Sequence, residues 1–405
     1  MYQTLLLTVP CNAVCSEKIS NVFRCEMCSF LPAMCAVCCH QPDVALCFAG
    51  GGIFMTNSRV AAALLLHNNQ LLVQLLIAEE QAAQRRIARL EAGLGPGRGH
   101  GGRSAQHHVE AEDVHQKLVD RHDDRGFLAY TRFTRQQFEG LVTELRPLIE
   151  ANRRVRLHVP PPTGRQHACK LSTENRLLLA LKFLVVGGSC ETLGTDFGIS
   201  PHVVSEDILH VVYAILEGIS YEIHFPEFGA EVEVKRRTVS ASYPRAIGLI
   251  DATYTPSQRQ HGDFSGHRWM PLRSHQVITD SIGMVMRVDA GFPGARHDSF
   301  VYRTSAVPAM LLARDAELLG DAGYVGMANI RTPPTARQVP DTRAREELSE
   351  EHVRRRSRIE QFFSVLKQWF RVTAQKWERH DRQFMACCFV ASCLLYNRKK
   401  RLNAR

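Results

Sequence analysis

Four acidic residues constrain the fold of this chain: Asp251, Asp298, Asp321 and Glu360 each stand at the edge of an apolar or glycine-rich segment in its second half. Ala246-Ile-Gly-Leu-Ile250 is apolar and β-compatible and delivers Asp251 at its end. Gln276-Val-Ile-Thr279 and Gly283-Met-Val-Met-Arg-Val288 suit the next two strands, turned at Asp280-Ser-Ile-Gly283. Asp298 closes the turn Gly291-Phe-Pro-Gly-Ala-Arg-His-Asp-Ser299, and Asp321 edges the apolar run Leu318-Leu-Gly-Asp-Ala-Gly-Tyr324. Residues 349–372 read as a long helix with a buried stripe of Ile359, Phe363, Leu366 and Phe370. Glu360 lies about 100° round from Ile359, beside the core.

Singly, each acid has an ordinary reading. Asp251 and Asp321 suit caps of helices or turns, Asp298 the cap of the helix after it, and Glu360 an ion pair with Arg356 one turn back. Together they mean more. Carboxylates a few ångströms apart repel by about 1 kcal/mol per pair in water and several-fold more at reduced dielectric, so their convergence implies cations. Two Mg²⁺ or Mn²⁺ ions held by such acids activate water and stabilise the leaving oxygen in phosphodiester cleavage.

A chain of 405 residues, 45% hydrophobic, suits two or three domains and excludes wholesale disorder. A formal charge of +9 favours an acidic polymer such as DNA as partner, though the charge alone is weak support. Most of the 13 cysteines lie in residues 1–55, which leaves a cysteine-poor body that reads as reduced and intracellular. Cys25-x-x-Cys28 and Cys35-x-x-Cys38 pose two readings, a pair of zinc knuckles at unusually short spacing or a disordered or non-native leader. The most apolar stretch, residues 60–78, is broken by His67-Asn-Asn-Gln70, so no membrane span is expected. The amino terminus carries no basic region before its short apolar run, so a secretory signal is not expected either.

The organisation expected is a Cys-rich leader (1–55), an amphipathic helix (56–92), a Gly-rich flexible linker (93–112), a helical domain (113–225), an α/β domain (226–396) and a basic tail (397–405). The tail reads either as a nuclear import signal or as a solvated helix end. Inside the helical domain, a short helix, Gly198-Ile199, and Ser200-Pro201 opening a second helix form a helix-turn-helix-like pattern. On the second helix, His202 and Ser205 take the positions that face a DNA groove. Glu206 and Asp207 argue against that placement, and a packed helical bundle is the competing reading.

Leu249-Ile-Asp-Ala-Thr-Tyr254, Pro293-Gly-Ala-Arg-His-Asp-Ser299, Gly320-Asp-Ala-Gly-Tyr324 and Arg358-Ile-Glu-Gln-Phe-Phe-Ser-Val-Leu-Lys367 resemble the four blocks of Harbinger/PIF-type transposases, in the same order. The likeness runs over roughly residues 170–396. It implies an RNase H-like nuclease core, a mixed sheet flanked by helices, preceded by the helix-turn-helix-like segment. It also implies divalent metal, DNA as substrate, the nucleus and a Myb-like accessory partner, with self-association left open. Asp251, Asp321 and Glu360 match the family's catalytic metal ligands, and Asp298 an additional one. Ala252 and Ser364 depart from the usual blocks without removing a ligand. Arg356, Lys367 and Arg371, with Arg354, Arg355 and Arg358, line the exposed side of the Glu360 helix and suit either phosphates or plain solvation. Two alternatives remain: a domesticated relative that binds DNA or a partner without cleaving, and an unrelated α/β metallohydrolase. The second is separated by strand order: Asp251 must end the first strand, with Asp321 on a strand beside it.

Overall fold

The computed structural model describes residues 113–121, 124–156, 171–258, 263–266, 268–377 and 382–404, together with a short antiparallel hairpin of β1 (Cys47–Ala49) and β2 (Gly52–Phe54). The chain divides into two compact units, Met1–Gly102 and Arg103–Arg405. The paired cysteine motifs, the amphipathic helix of 56–92 and the linker of 93–112 lie outside the described residues.

The second unit begins with helices α1 (Val114–Asp120), α2 (Asp124–Thr131), α3 (Arg135–Arg156) and α4 (Thr173–Val186). The Ser172 hydroxyl caps α4 by accepting from Asn175 N, and the apolar run Leu177–Leu181 makes this helix a core element buried nearly all round. Helices α5 (Cys190–Phe197) and α6 (Pro201–Gly218) follow, capped by Ser189 and Ser200. Between them Gly198 takes the left-handed conformation, φ 62°, that a tight helix end needs. The two axes bend by 96°, the angle of a helix-turn-helix. Val204, Asp207, Ile208 and Val211 of α6 are buried, and Arg176 pairs with Asp207 at 2.9 Å inside the bundle. Asp207 is therefore a core ion-pair partner of the bundle.

Helix α7 (Ala230–Val239) leads into the sheet. Its strands are β3 (Ala246–Pro256), β4 (Phe264–Ser265), β5 (Met270–Thr279), β6 (Val285–Pro293), β7 (Glu317–Leu319) and β8 (Ile330–Arg331). β3, β5 and β6 form an antiparallel meander, while β7 runs parallel to β3 and β8 parallel to β7. The spatial order β6-β5-β3-β7-β8, with the first strand of the meander central, is the mixed RNase H-like sheet. Ala246–Ile250 is wholly buried, as a central strand with packed faces must be.

Helices α8 (Asp298–Thr304) and α9 (Val307–Ala313) cross between β6 and β7. Helix α10 (Thr342–Trp369) packs on β3, and α11 (Arg382–Asn403) packs on β6 and α6. The second and third strands extend beyond the segments read, to Met270 at the start of β5 and Pro293 at the end of β6, and α10 ends at Trp369 rather than residue 372; two further differences bear on the site. β3 continues past Asp251 to Pro256, because Thr253 and Thr255 go on pairing with β5, so Asp251 lies mid-strand. Helix α10 starts at Thr342 rather than Ser349, capped by Asp341 and carried through a charged stretch by ion pairs such as Arg343–Glu347 at 3.1 Å.

Residues 397–403 of the expected basic tail form the last turns of α11. Asn397 is fully buried, with Nδ2 donating to Glu222 O and Val285 O and Oδ1 accepting from Val285 N. Arg398 and Arg401 both pair with buried Glu222, at 3.0 and 2.6 Å. Among the described residues no single helix is long and apolar enough to cross a membrane.

Candidate active site

The parallel pairing of β7 with β3 sets Leu319 opposite Leu249. Asp321, two residues beyond Leu319 and just past the end of the strand, is thereby carried to the side of Asp251, near enough for its charge to act on it. Asp321 Oδ1 accepts from Gly323 N at 2.9 Å and caps the 3₁₀ turn 322–324. Behind it, the fully buried His352 of α10 contacts Gly320 O through Nε2 at 2.9 Å and ties the Glu360 helix to this turn. Burial holds the His352 imidazole below its ordinary pKa, so it stays neutral at physiological pH.

Asp298 opens α8, but the helix cap is His297, whose Nδ1 accepts from Ser299 N at 3.3 Å. This frees the Asp298 carboxylate from capping, and Oδ1 accepts from the Tyr254 hydroxyl at 3.3 Å. A Cβ placed on Gly323 would stand 3.0 Å from Asp321 Oδ1 and 3.7 Å from Asp298 Oδ2, so the two carboxylates flank one bare glycine.

Electrostatics join the three aspartates. Burial pushes the Asp251 carboxyl up to about 6, against the Arg356 guanidinium and the Ala252 amide, and the charge of Asp321 adds to the rise. Burial raises Asp298 too, again with help from Asp321. The phenol of fully buried Tyr324 is held well above its ordinary pKa by burial and then by the charges of Asp298, Asp251 and Asp321. One ring thus feels all three acids.

Glu360 stands differently. Its side chain is 61% exposed, and Oε1 lies 3.6 Å from Arg356 Nη2, the same nitrogen that sits 2.9 Å from Asp251 Oδ2. Arg356 therefore bridges the two acids. As placed, no three His, Cys, Asp or Glu side chains among the described residues converge closely enough to hold a metal ion. The donor set nevertheless suits a hard divalent cation: oxygen ligands only, raised by burial and mutual charge, with Arg356 as the side chain that has to give way.

Beside the acids runs a cleft of about 240 Å³ lined by Tyr254, Arg268, Met270 and Lys367, among others. Burial depresses the Lys367 ammonium, and the nearby Arg268 charge adds to the effect. Of the other residues singled out as DNA contacts, Arg371 is exposed on the turn after α10, and His202 is exposed at the first turn of α6, 3.6 Å from Glu206. Ser205 is half-buried on α6. His202, Ser205 and Arg371 are not among the residues that line the cleft.

Three participants escaped the sequence reading. Tyr254 lay inside a quoted block without a role, and Arg268 lay between the strands that were read. His352 sits one heptad before Ile359, so the buried stripe extended backwards would have found it.

Residues 250–397 match the family described as DDE superfamily endonuclease. The chain carries a DDE superfamily endonuclease domain. Its relatives agree: HARBI1 of Bos taurus, named as a candidate nuclease, is 26% identical over 244 residues, covering 56% of this chain and 68% of that protein. HARBI1 of Homo sapiens is 25% identical over 244 residues, with the same two coverages. The ALP1-like protein of Arabidopsis thaliana is 23% identical over 248 residues, 56% of this chain and 60% of that protein. The Harbinger-type kinship drawn from the four acid blocks therefore stands. No solved structure matches the chain. Within the DDE domain lie all four acids, Arg356 and the cleft.

Proposed function

We propose that this protein is a divalent-metal-dependent DNA endonuclease of transposase descent. The observation that carries the reading is the register of β7 on β3, which brings Asp321 beside Asp251 in a DDE domain, with Asp298 sharing their electrostatic field. Asp251 and Asp321 would share the metal, with Asp298 beside them, and Glu360 would complete the shell once Arg356 releases it. Bound Mg²⁺ or Mn²⁺ would activate a water, or the DNA's own 3′ hydroxyl where strands are joined, and would neutralise charge on the leaving oxygen. The protein's own share is positional. His352 holds Gly320 and with it Asp321, and Tyr254 holds Asp298. Lys367 and Arg268 line the cleft and offer cations to the phosphate backbone, with Arg356 joining them once displaced. Arg371, His202 and Ser205 are assigned to more distant DNA contacts. The place of action on this reading is the nucleus, with a Myb-like partner and self-association as further proposals resting on the family resemblance.

A second reading has its own support. Arg356 fills the gap between Asp251 and Glu360, the arrangement suited to a domesticated relative that binds DNA without cutting it. Plasmid cleavage with Mg²⁺ or Mn²⁺ separates the two: nicking by the wild type, abolished by Asp251→Asn and Glu360→Gln, supports the nuclease. Nicking untouched by both substitutions removes the assigned site, and DNA binding without nicking favours the second reading.

A further inference from the structure

The tip of the β4–β5 hairpin presents Trp269 with 82% of its surface exposed, the most exposed large apolar side chain among the described residues. Its backbone is strained as well, at φ 55° in the left-handed region that bulky residues avoid. The turn is closed by Trp269 N donating to Ser265 O at 2.8 Å. Phe264 and Met270 flank it, exposed by 44% and 39%. An indole held outward on a strained backbone, with no packing in return, is a residue whose partner lies outside the fold.

The neighbourhood says which partner. The Arg268 guanidinium lies over the Tyr254 ring at 4.7 Å, and the Tyr254 hydroxyl ends on Asp298. Arg268 and Met270, the residues either side of Trp269, line the cleft shared with Lys367. A path thus runs from the acids through Tyr254 to Arg268, cationic along its wall, and Trp269 is the next residue of the hairpin, exposed at its tip. Such a pairing of backbone-neutralising cations with an aromatic platform is how proteins hold unpaired nucleotides, because every base offers a face to stack on.

We propose that Trp269 is a base-stacking residue: Arg268 and Lys367 hold a DNA phosphate in the cleft while the indole packs against an unpaired base beside it. The proposal rests on the DNA-directed reading above and adds a preference, for DNA with a frayed, flipped or single-stranded nucleotide next to the site of attack. A fully paired duplex keeps its bases stacked on one another and offers the indole no face.

The test uses the full chain without divalent metal, so that no cutting intervenes, and follows anisotropy of a labelled single strand, a forked duplex and a blunt duplex. Trp269→Ala is expected to weaken the single strand and the fork by about 5- to 100-fold, with blunt duplex affinity within about twofold and Trp269→Phe close to wild type. Single-stranded DNA should quench indole fluorescence in the wild type and lose most of that effect in Trp269→Phe. Trp269→Gly relieves the positive φ, so its Tm should equal or exceed that of the wild type while its fork binding falls as in the alanine variant. That result separates stacking from a folding defect. Unchanged fork and single-strand affinity in Trp269→Ala, with the wild type binding DNA, overturns the proposal and assigns the indole to a protein partner. A wild type that binds none of the three DNAs overturns the DNA reading itself, and this proposal with it.

Discussion

The Arg356 guanidinium stands 2.9 Å from Asp251 Oδ2, with only 16% and 15% of the two side chains exposed. A buried carboxylate at the centre of the sheet thus has a protein cation for company, one that also reaches Glu360 at 3.6 Å. On the proposed reading, a divalent ion has to displace it. We expect Arg356→Ala to lower metal-free stability by about 1–3 kcal/mol, since it strips a partly buried charge of its partner. The same variant should gain more Tm than the wild type when Mn²⁺ is added. Differential scanning fluorimetry with and without Mn²⁺ checks both, and an equal Mn²⁺ shift in the two proteins contradicts the competition.

The elevated pKa of Asp251, about 6 against an ordinary 3.8, has a sign that can be worked out. Folding disfavours the charged form, so the stability associated with this group is full below about pH 4 and is lost as the pH rises through about 6. Asp251→Asn removes that loss. Relative to wild type in EDTA, the variant should gain on the order of 2–3 kcal/mol between pH 4.5 and 7.5. Urea denaturation across that range measures the difference, and a flat difference curve contradicts it.

Gly323 lets two carboxylates share one side of the turn. A Cβ there meets Asp321 Oδ1 at 3.0 Å, close enough that the carboxylate must shift by tenths of an ångström. Gly323→Ala is expected to cost about tenfold or more in metal-dependent cleavage, with stability changed by no more than about 1 kcal/mol. Matched cleavage rates and Tm values check this, and wild-type cleavage by the alanine variant contradicts it.

The buried Asn397 amide bonds three backbone groups, the N–H and carbonyl of Val285 on β6 and the carbonyl of Glu222. Asn397→Ala leaves those groups unpaired and should destabilise the fold by about 3 kcal/mol or more. Chemical denaturation gives the value. A loss below about 0.5 kcal/mol would show that this end of α11 does not anchor the sheet to the helical bundle.

The sequence displayed what local chemistry writes. Ser200 and Pro201 open α6 as their types require, and Ala246–Ile250 reads as the central strand it forms. The mixed sheet followed from the resemblance of the four acid blocks, in order, to those of Harbinger/PIF-type transposases. The far end of β3 was missed because Thr253 and Thr255 are polar residues buried by neighbours distant in sequence. The first turns of α10 were missed because Thr342–Glu350 carries charge pairs in place of an apolar stripe. Arg356 between Asp251 and Glu360, Tyr254 on Asp298 and His352 on Gly320 depend on contacts between separate elements, which no single segment encodes. Asp298 shows the same limit from the other side: its position suggested a helix cap, and His297 took that role and left the carboxylate to the site.

The central claim is that Asp251, Asp321 and Glu360 hold a divalent metal together, with Asp298 beside them. Mn²⁺ binding to the full chain at pH 7.5, followed by electron paramagnetic resonance, tests it most directly. The account predicts saturable uptake by the wild type, and loss of about tenfold or more in affinity in Asp251→Asn and Asp321→Asn, with Glu360→Gln weakened less. Uptake of the same strength in all four proteins, each shown to be folded, would contradict it.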